Sequence, residues 1–211
     1  MPKAIDQQNA VRSAFSSLMP AARTRKSRTP PPSAREVFRF WFVDHSNKDW
    51  FGFNPEFDAE LRRKYAGTLD RALRGELVDW RKTPEGRLAE IVVLDQFARQ
   101  IHRGEGGAFA GDAIALILSQ EAVAAGIDKA IRKEWRFFFY MPFMHSESLA
   151  IHEKYMKLFR AQGDDRFLDF EIAHRDVIAR FGRYPVRNGP LGRKSTKAEL
   201  AYIKKRGGAI F

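Results

Sequence analysis

Apolar residues recur every three or four positions along most of this 211-residue chain, and this period constrains the fold more than any other feature. For example, Phe57, Leu61, Tyr65 and Leu69 fall on one face of a helix. No run of alternating polar and apolar residues is long enough to predict a strand. The pattern therefore predicts an all-α protein.

Capping and breaking residues divide this pattern into about eight helices. Ser33 can cap the first helix, Gly126 can end the fourth, and Asp128 can cap the fifth. Thr196-x-x-Glu199 predicts a capping box at the start of the last helix. The short connections and the lack of a fixed repeat predict an antiparallel helical array. Its helices are expected at residues 33–42, 55–75, 84–104, 108–125, 128–142, from about 146, at 164–181, and from 196 onward.

The net charge of +11 is concentrated at the two ends of the chain. Residues 1–32 contain six Lys and Arg against one acidic residue, and residues 171–211 contain ten against three. Residues 33–170 contain 21 against 22 and are close to neutral. Basic ends attract polyanions weakly and in a salt-dependent way. A nucleic-acid-binding face is therefore not predicted, and only weak nucleic acid binding through the ends is expected.

Composition also separates a tail from a domain. Residues 23–32 combine basic residues with three prolines, which predicts a disordered tail at residues 1–32 and a single helical domain at residues 33–211. The chain has no cysteine, which excludes disulfides, thiol catalysis and Cys-based zinc sites and fits a cytoplasmic location. Its apolar runs fall far short of the roughly 20 residues that span a membrane, so no membrane partner is predicted.

Three charged residues stand at helical spacing in the predicted third helix. Asp95, Arg99 and Arg103 lie at i, i+4 and i+8, which places them on one stripe beside a dense apolar face. If the stripe is exposed, it is an ordinary surface ion pair with an extra charge. If it is partly buried, Arg99 needs a carboxylate partner, and Asp95 is the nearest. The second interpretation makes the stripe part of a binding site.

Three residues are candidates for catalysis. His145 precedes the sixth helix with Glu147 two residues later, and His174 lies on an apolar face of the seventh. A histidine in such a position is a buried hydrogen-bonded residue, a ligand contact or a general base. His145 and His152 would be about 10.5 Å apart along a helix axis, which is too far to share one ion. No metal is therefore predicted, and no cofactor motif is found.

Residues 181–196, FGRYPVRNGPLGRKST, combine four basic residues with glycines and prolines and contain no acid. Glycine permits unusual backbone conformations and proline fixes φ, so the segment can hold Arg183, Arg187 and Arg193 in fixed directions. A carboxylate or phosphate could then bind, oriented by Asn188 and favoured by the dipole of the last helix. The alternative is that these arginines fasten that helix by pairing with internal carboxylates such as Asp95, Glu147 or Asp176.

Aromatic residues are clustered at positions 38–42, 50–53 and 135–140. At helical spacing, packing in the core is their default role. The runs at 50–53 and 137–139 are too dense for one helix face, however. Some of these rings are therefore expected to edge a cavity.

Four motifs follow one another between residues 94 and 196: LDQFAR, PFMHSE, FGRYPVRN and GRKST. With them, the chain resembles the bacterial family called domain of unknown function 924 over roughly residues 33–211. The resemblance implies an all-helical fold similar to tetratricopeptide-repeat superhelices without their repeat consensus, and it implies no reaction. The motif residues that it offers for a site are Asp95, Arg99, Arg103, His145, Glu147, Arg183, Arg187, Asn188 and Arg193.

These observations lead to three hypotheses for function. The first is a cytoplasmic binding protein whose Arg-rich cleft holds a small anionic molecule or an acidic peptide end. In that case, Arg187→Ala should lower ligand affinity with little change in melting temperature. The second is a hydrolase or transferase acting on a phosphate or carboxylate substrate, with His145 or His174 as general base. The third is a scaffold for a protein or nucleic acid partner.

Overall fold

The computed structural model describes residues 31–205, so the predicted tail lies almost entirely outside the described residues. Helix α1 (Ala34–Phe42) starts with a capping box, in which the Ser33 hydroxyl accepts from the Glu36 amide (3.3 Å) and the Glu36 carboxylate accepts from the Ser33 amide (2.6 Å). A single turn, α2 (Asn47–Trp50), precedes α3 (Pro55–Leu73). The first helix therefore begins where the capping residue predicts.

The next segment is one continuous helical rod with a wide turn in its middle. Helix α4 (Pro84–Val92) leads into a π-helical turn (Val93–Phe97), and α5 (Ala98–Ile101) follows without a break. We call this continuous segment, residues 84–101, the rod. A π turn adds one residue to the α-helical period, so the residues after it are rotated by about 100° relative to a regular helix. The π turn carries Asp95 and Gln96, both of them buried.

The rest of the described chain consists of five α-helices joined by loops and short 3₁₀ turns. The turns are Val78–Lys82 before α4, Gly106–Phe109 before α6, Ile127–Ala130 before α7, and Pro185–Arg187 before α10. The helices are α6 (Asp112–Ala124), α7 (Lys133–Met144), α8 (Leu149–Gln162), α9 (Asp165–Phe181) and α10 (Lys197–Lys205).

The helices pack around one aromatic core. Helix α1 packs on α4, and α3 packs on the π turn and α5. Helix α6 packs on α7, α7 on α8, and α8 on α9. Trp41, Phe97 and Phe139 are fully buried. The rings of Phe137 and Phe167 stack with their centroids 3.7 Å apart, which joins α7 to α9. Full burial of one such ring contributes about 1.5–3 kcal/mol, so these rings are a major source of stability.

The prediction of an all-α protein is confirmed, because residues 31–205 contain helices and turns and no strand. Some predicted boundaries differ. Asp128 does not cap α7; it is buried in the preceding 3₁₀ turn, where its carboxylate accepts a hydrogen bond from the Tyr140 hydroxyl (2.7 Å). Pro142 lies inside α7, which ends at Met144. The similarity to tetratricopeptide-repeat superhelices stays a prediction.

One helical stretch, Gly106–Ala124, is long and apolar enough in composition to cross a membrane, with a mean hydropathy of 1.2. It joins a 3₁₀ turn to α6 and packs on α4 and α7. Ala115 and Ala122 are fully buried in the core, and Asp112 forms ion pairs with two arginines of the domain. These contacts are those of a helix inside a folded domain.

Candidate functional site

A cavity of about 410 Å³ lies between the rod, α2, α7, α9 and the turn Gly106–Phe109. Most of its lining is apolar, and rings from both dense aromatic runs of the sequence contribute to it. The apolar lining consists of Trp50, Phe51, Phe109, Phe137, Met141, Met144, Phe167 and Phe170, among others. The polar lining comes mainly from Gln96, Arg99 and Gln100 of the rod and from Arg103 just beyond its end, and is completed by His145 and His174.

Two rings mark the opening of the cavity. Phe51 and Phe170 both belong to its lining, yet they are 54% and 53% exposed. Rings that are both part of a cavity and half in solvent must stand at its edge. A ligand entering the cavity would therefore pass between α2 and α9.

Asp95 and His145 form a buried pair beside the cavity. Asp95 is 1% exposed, and its Oδ1 lies 2.7 Å from His145 Nδ1. Burial alone would raise the pKa of Asp95, but the Arg99 guanidinium and His145 outweigh it and hold the pKa below its usual value. Burial, reinforced by Arg99, lowers the pKa of His145. The imidazole is therefore neutral at pH 7, with its Nδ1–H donating to Asp95 and its Nε2 left as an acceptor.

Asp112 links this pair to two arginines. The Arg99 guanidinium lies 3.0 Å from Asp95 Oδ1 and 2.9 Å from Asp112 Oδ1. Arg187 is 4% exposed and donates to Asp112 Oδ2 (3.0 Å) and to the carbonyl oxygen of His145 (2.9 Å). We call these five residues, Asp95, Arg99, Asp112, His145 and Arg187, the cavity cluster. Two carboxylates, two guanidinium groups and a neutral histidine give it a net charge of zero.

Local backbone features bring the cavity cluster together. A side chain at Gly111 would clash with the carbonyl oxygen of Leu94 in the π turn, so only glycine lets the start of α6 approach the rod this closely. This approach sets Asp112 against the rod. The Arg187 guanidinium lies over the ring of Phe109, 4.7 Å from its centroid, which holds the Pro185–Arg187 turn against the same place.

His174 faces the cavity from α9. Its Nδ1 lies 2.7 Å from the Phe170 carbonyl oxygen, one turn earlier in the same helix. Its ring centroid lies 6.4 Å from that of His145. Burial lowers the pKa of His174 to about 3. Two neutral histidines therefore approach the cavity from different helices.

The other arginines of residues 181–196 form a separate group that does not line the cavity. Arg183 donates two hydrogen bonds to Glu199 (2.7 and 2.9 Å), and Arg193 donates two to Glu147 (2.6 and 2.8 Å). Bidentate pairs of this kind are strong and geometrically specific. We call Arg183, Arg193, Glu147 and Glu199 the C-terminal clamp, because the two pairs fasten α10 and the loop before it to the domain.

Glu199 also completes the predicted capping box at the start of α10. Its amide donates to Thr196 Oγ1 (3.2 Å), and its carboxylate accepts from the Thr196 amide (2.7 Å). The hydrogen bonds from Arg183 and then from Thr196 lower the pKa of Glu199 to about 2. The N-terminus of the last helix thus already holds an internal carboxylate. Asn188, which is fully buried nearby, donates to Ser195 Oγ (3.0 Å).

Arg103 does not lie on the predicted stripe with Asp95 and Arg99. The helix ends at Ile101, so Arg103 does not follow Arg99 on one helix face. It reaches α3 instead and donates two hydrogen bonds to Asp58 (2.6 and 2.9 Å), while still lining the cavity. The predicted stripe therefore holds for Asp95 and Arg99 only.

The family described as bacterial protein of unknown function (DUF924) matches residues 37–207. This chain belongs to that family. A solved structure of a protein of unknown function from Agrobacterium tumefaciens is similar to it, with 34% sequence identity and a TM-score of 0.77, over 82% of this chain and 97% of that one. No curated protein matches. Membership of the DUF924 family therefore supports the fold but assigns no activity. The function of the cavity must be inferred from the residues that line it.

In this DUF924 protein, four of the residues singled out in the sequence line the cavity: Arg99, Arg103, His145 and His174. Two more, Asp95 and Arg187, contact those residues from behind. The other four belong to or lie near the C-terminal clamp, and a ligand role for them stays a prediction: Glu147, Arg183, Asn188 and Arg193.

Two residues that complete the site had no signal of their own in the sequence. In the sequence, Asp112 is an acidic residue in the first turn of a predicted helix, which is a common stabilising arrangement and indicates no function. Gln100 is the second of two amides one turn apart in a largely apolar helix, a pattern without functional meaning by itself. Its Nε2 donates to the Trp50 carbonyl (3.1 Å), whereas its Oε1 is buried without a hydrogen-bond partner in the described chain. Among residues 31–205, no group of three or more His, Asp or Glu side chains could hold a metal ion.

Proposed function

We propose that this protein is a cytoplasmic binding protein for a small amphipathic anion, whose apolar body lies in the cavity. The observation that carries the proposal is the division of the lining between aromatic side chains and a row of polar groups on the rod. Small-molecule sites in proteins are concave, of roughly 300–1,000 Å³, mostly apolar, and carry a few polar groups that fix orientation. The cavity has this size and this composition.

Two buried polar atoms support the proposal further. Arg99 Nε and Gln100 Oε1 have no hydrogen-bond partner among the described residues. A buried donor or acceptor that is left unpaired costs about 1–3 kcal/mol, so a ligand group that pairs with it gains binding free energy. Both residues line the cavity. A ligand that accepts from the guanidinium and donates to the amide oxygen would satisfy both atoms.

Decanoate is a suitable first probe, because it joins an apolar chain to one negative charge. We expect calorimetry to show saturable binding to the wild type and at least tenfold weaker binding to Ala108→Phe, which adds a ring to the lining. Ala110→Phe makes the same change at the exposed residue that follows this turn and is the matched control. Val186→Phe, a second filling variant on the lining, replaces Ala108→Phe if that protein does not fold. Equal affinity in filled and control variants would contradict the proposal.

A second candidate function is hydrolysis, favoured by the Asp95–His145 pair. With Nδ1 held by the carboxylate at 2.7 Å, Nε2 of His145 could accept a proton from water as the water oxygen attacks an ester bound in the cavity. The proton would then pass to the departing alkoxide, with Arg99 stabilising the negative charge of the intermediate. In this alternative, the ligand is a substrate.

A screen with p-nitrophenyl esters of short fatty acids and of phosphate tests this second candidate. Turnover should rise with pH through the pKa of His145 and fall by about a hundredfold or more in His145→Gln. Turnover that is absent, or that survives the substitution unchanged, would leave binding as the function.

A further inference from the structure

The cavity does not end at Arg103. A surface groove lies next to it, between the N-terminal half of α3 and the end of the rod, and is lined by Phe53, Asp58, Arg62 and Arg63, among others. Gln100 and Arg103 line both the cavity and the groove. A single ligand can therefore occupy the two spaces, with these two side chains at the junction.

The groove has a surplus of positive charge. Arg62, Arg63 and Arg103 line it against one carboxylate, Asp58, which gives it a net charge of +2. Asp58 is bound in a bidentate pair by Arg103. Arg62 and Arg63 are exposed and form no ion pair within the described chain. The groove therefore differs from the cavity cluster, in which every arginine charge is balanced by a carboxylate.

The groove is also partly preorganised. The Asp58 carboxylate accepts from Arg103 and holds that side chain in place. The Arg103 guanidinium also lies 5.6 Å from the centroid of the Phe53 ring. Arg62 donates to the carbonyl oxygen of Ile101, which holds it beside the end of the rod. The Nε2 of Gln100 is tied to the Trp50 carbonyl, which leaves the buried Oε1 unpaired at the junction.

We infer that the groove binds a dianionic phosphate head group. The inference rests on the proposed function, since the apolar body of this ligand lies in the cavity. A phosphate monoester carries nearly two negative charges at pH 7, which matches the surplus of the groove. Guanidinium groups bind phosphate oxygens in bidentate fashion, and arginine is the residue best suited to this task.

Three probes with the same chain separate this inference from the proposed function. All three have an apolar ten-carbon chain. Decanol carries no charge, decanoate carries one negative charge, and decyl phosphate carries nearly two at pH 7. We expect calorimetry to give the tightest binding for decyl phosphate and the weakest for decanol. If decanoate binds in the cavity but decyl phosphate binds no better, the phosphate site is disproved while the proposed function stands. If none of the three binds, the proposed function itself fails.

Arg63→Ala tests the groove directly. Arg63 is exposed and forms no ion pair in the described chain, so its removal should not affect folding. We expect the Kd of decyl phosphate to rise about tenfold, as for loss of a hydrogen bond to a charged group, and that of decanol to stay within twofold. Arg160→Ala removes an exposed arginine of α8 that lines neither space and should change neither Kd. Equal losses in the two variants would overturn the inference, because they would reflect net charge alone.

The same phosphate chemistry can come from a soluble ester or from a lipid. Inorganic phosphate should compete with decyl phosphate and not with decanol. Vesicles of phosphatidylcholine with and without phosphatidic acid then distinguish the sources. Specific binding of phosphatidic acid assigns the site to a lipid phosphate, and binding of the soluble ester alone assigns it to a free one. Binding of neither would overturn the inference.

Discussion

The cavity cluster and the C-terminal clamp are built from the same pairing of arginine with carboxylate, and two of their arginines lie only four residues apart, Arg183 and Arg187. In the clamp, each arginine is bound by one carboxylate in a two-bond pair. In the cavity cluster, Asp112 is shared by Arg99 and Arg187, and Arg99 also contacts Asp95. Each clamp pair balances its own charge, whereas a shared network beside a cavity can readjust when a ligand enters.

The largest expected effect comes from Arg187, which the sequence alone assigns to ligand binding with little influence on stability. The side chain is 4% exposed and holds both Asp112 and the His145 carbonyl. Removal of one partner of a buried pair costs about 3–5 kcal/mol. We therefore expect Arg187→Met to lose about 3 kcal/mol of unfolding free energy, which is roughly 6–12 °C in melting temperature for a domain of this size.

Chemical denaturation followed by circular dichroism measures this loss. Arg63→Met, which removes an exposed arginine with no ion pair in the described chain, is the control and should stay within about 0.5 kcal/mol of the wild type. If Arg187→Met is as stable as that control, Arg187 is not a structural part of the cavity cluster and the difference between the two regions disappears.

The next effect is a dependence of stability on pH that the clamp does not share. The pKa of His174 is about 3 in the folded protein against 6.5 as the ordinary value, so the unfolded state binds more protons and stability falls as the pH drops below about 6.5. Glu199 responds to acid in the same direction, but at lower pH. Its pKa is lowered from 4.5 to about 2, so its stabilising effect is complete above about pH 4.5 and is lost only below it.

Between pH 7 and pH 5, only the cavity side should therefore respond to acid. A shift of one pKa unit corresponds to about 1.36 kcal/mol. His174 alone should therefore lower the free energy of unfolding by about 2 kcal/mol between pH 7 and pH 5. In His174→Gln, the unfolding free energy should fall by that much less between the two pH values, as measured by urea titration. Burial raises the pKa of Glu171 and acts in the reverse sense, but Glu171 is present in both proteins and cancels from the difference. Identical pH slopes would refute a neutral, buried His174.

The smallest expected effect is the loss of one arm of the clamp. Arg193 is about one-quarter exposed and binds Glu147 through two hydrogen bonds. We expect Arg193→Met to lose about 1–2 kcal/mol, more than a typical surface pair and less than Arg187→Met. Arg175→Met, which breaks the exposed pair with Asp176, is the matched control and should have almost no effect. Equal melting temperatures for these two variants would show that the clamp is no firmer than a surface ion pair.

Most of the fold could be predicted from the sequence, because helical period and caps are local properties. The capping residues Ser33 and Thr196 begin their helices as expected. Asp128 does not act as a cap because it lies in a 3₁₀ turn and α7 begins only at Lys133. Its carboxylate accepts from the Tyr140 hydroxyl instead. Capping residues thus indicate where a helix can begin, but a turn can intervene before it does.

The site was less accessible to prediction, because it depends on contacts between residues far apart in the chain. The ion pair between Asp95 and Arg99 follows from their spacing, but the link from Arg187 to Asp112 joins positions 75 residues apart. Nothing in the order of residues 181–196 distinguishes the arginine that enters the cavity cluster from the two that form the clamp. Only the packing of the Pro185–Arg187 turn against Phe109 separates them.

The extra residue of the π turn acts as a phase shift within the rod. Deleting one residue from Val93–Phe97 would restore an ordinary helix and leave every side chain outside the deletion chemically intact. It would nevertheless turn the C-terminal half of the rod by about 100° relative to the N-terminal half. Arg99 and Gln100 would then leave the cavity together. The register of one helical turn thus determines whether Arg99 and Gln100 reach the cavity.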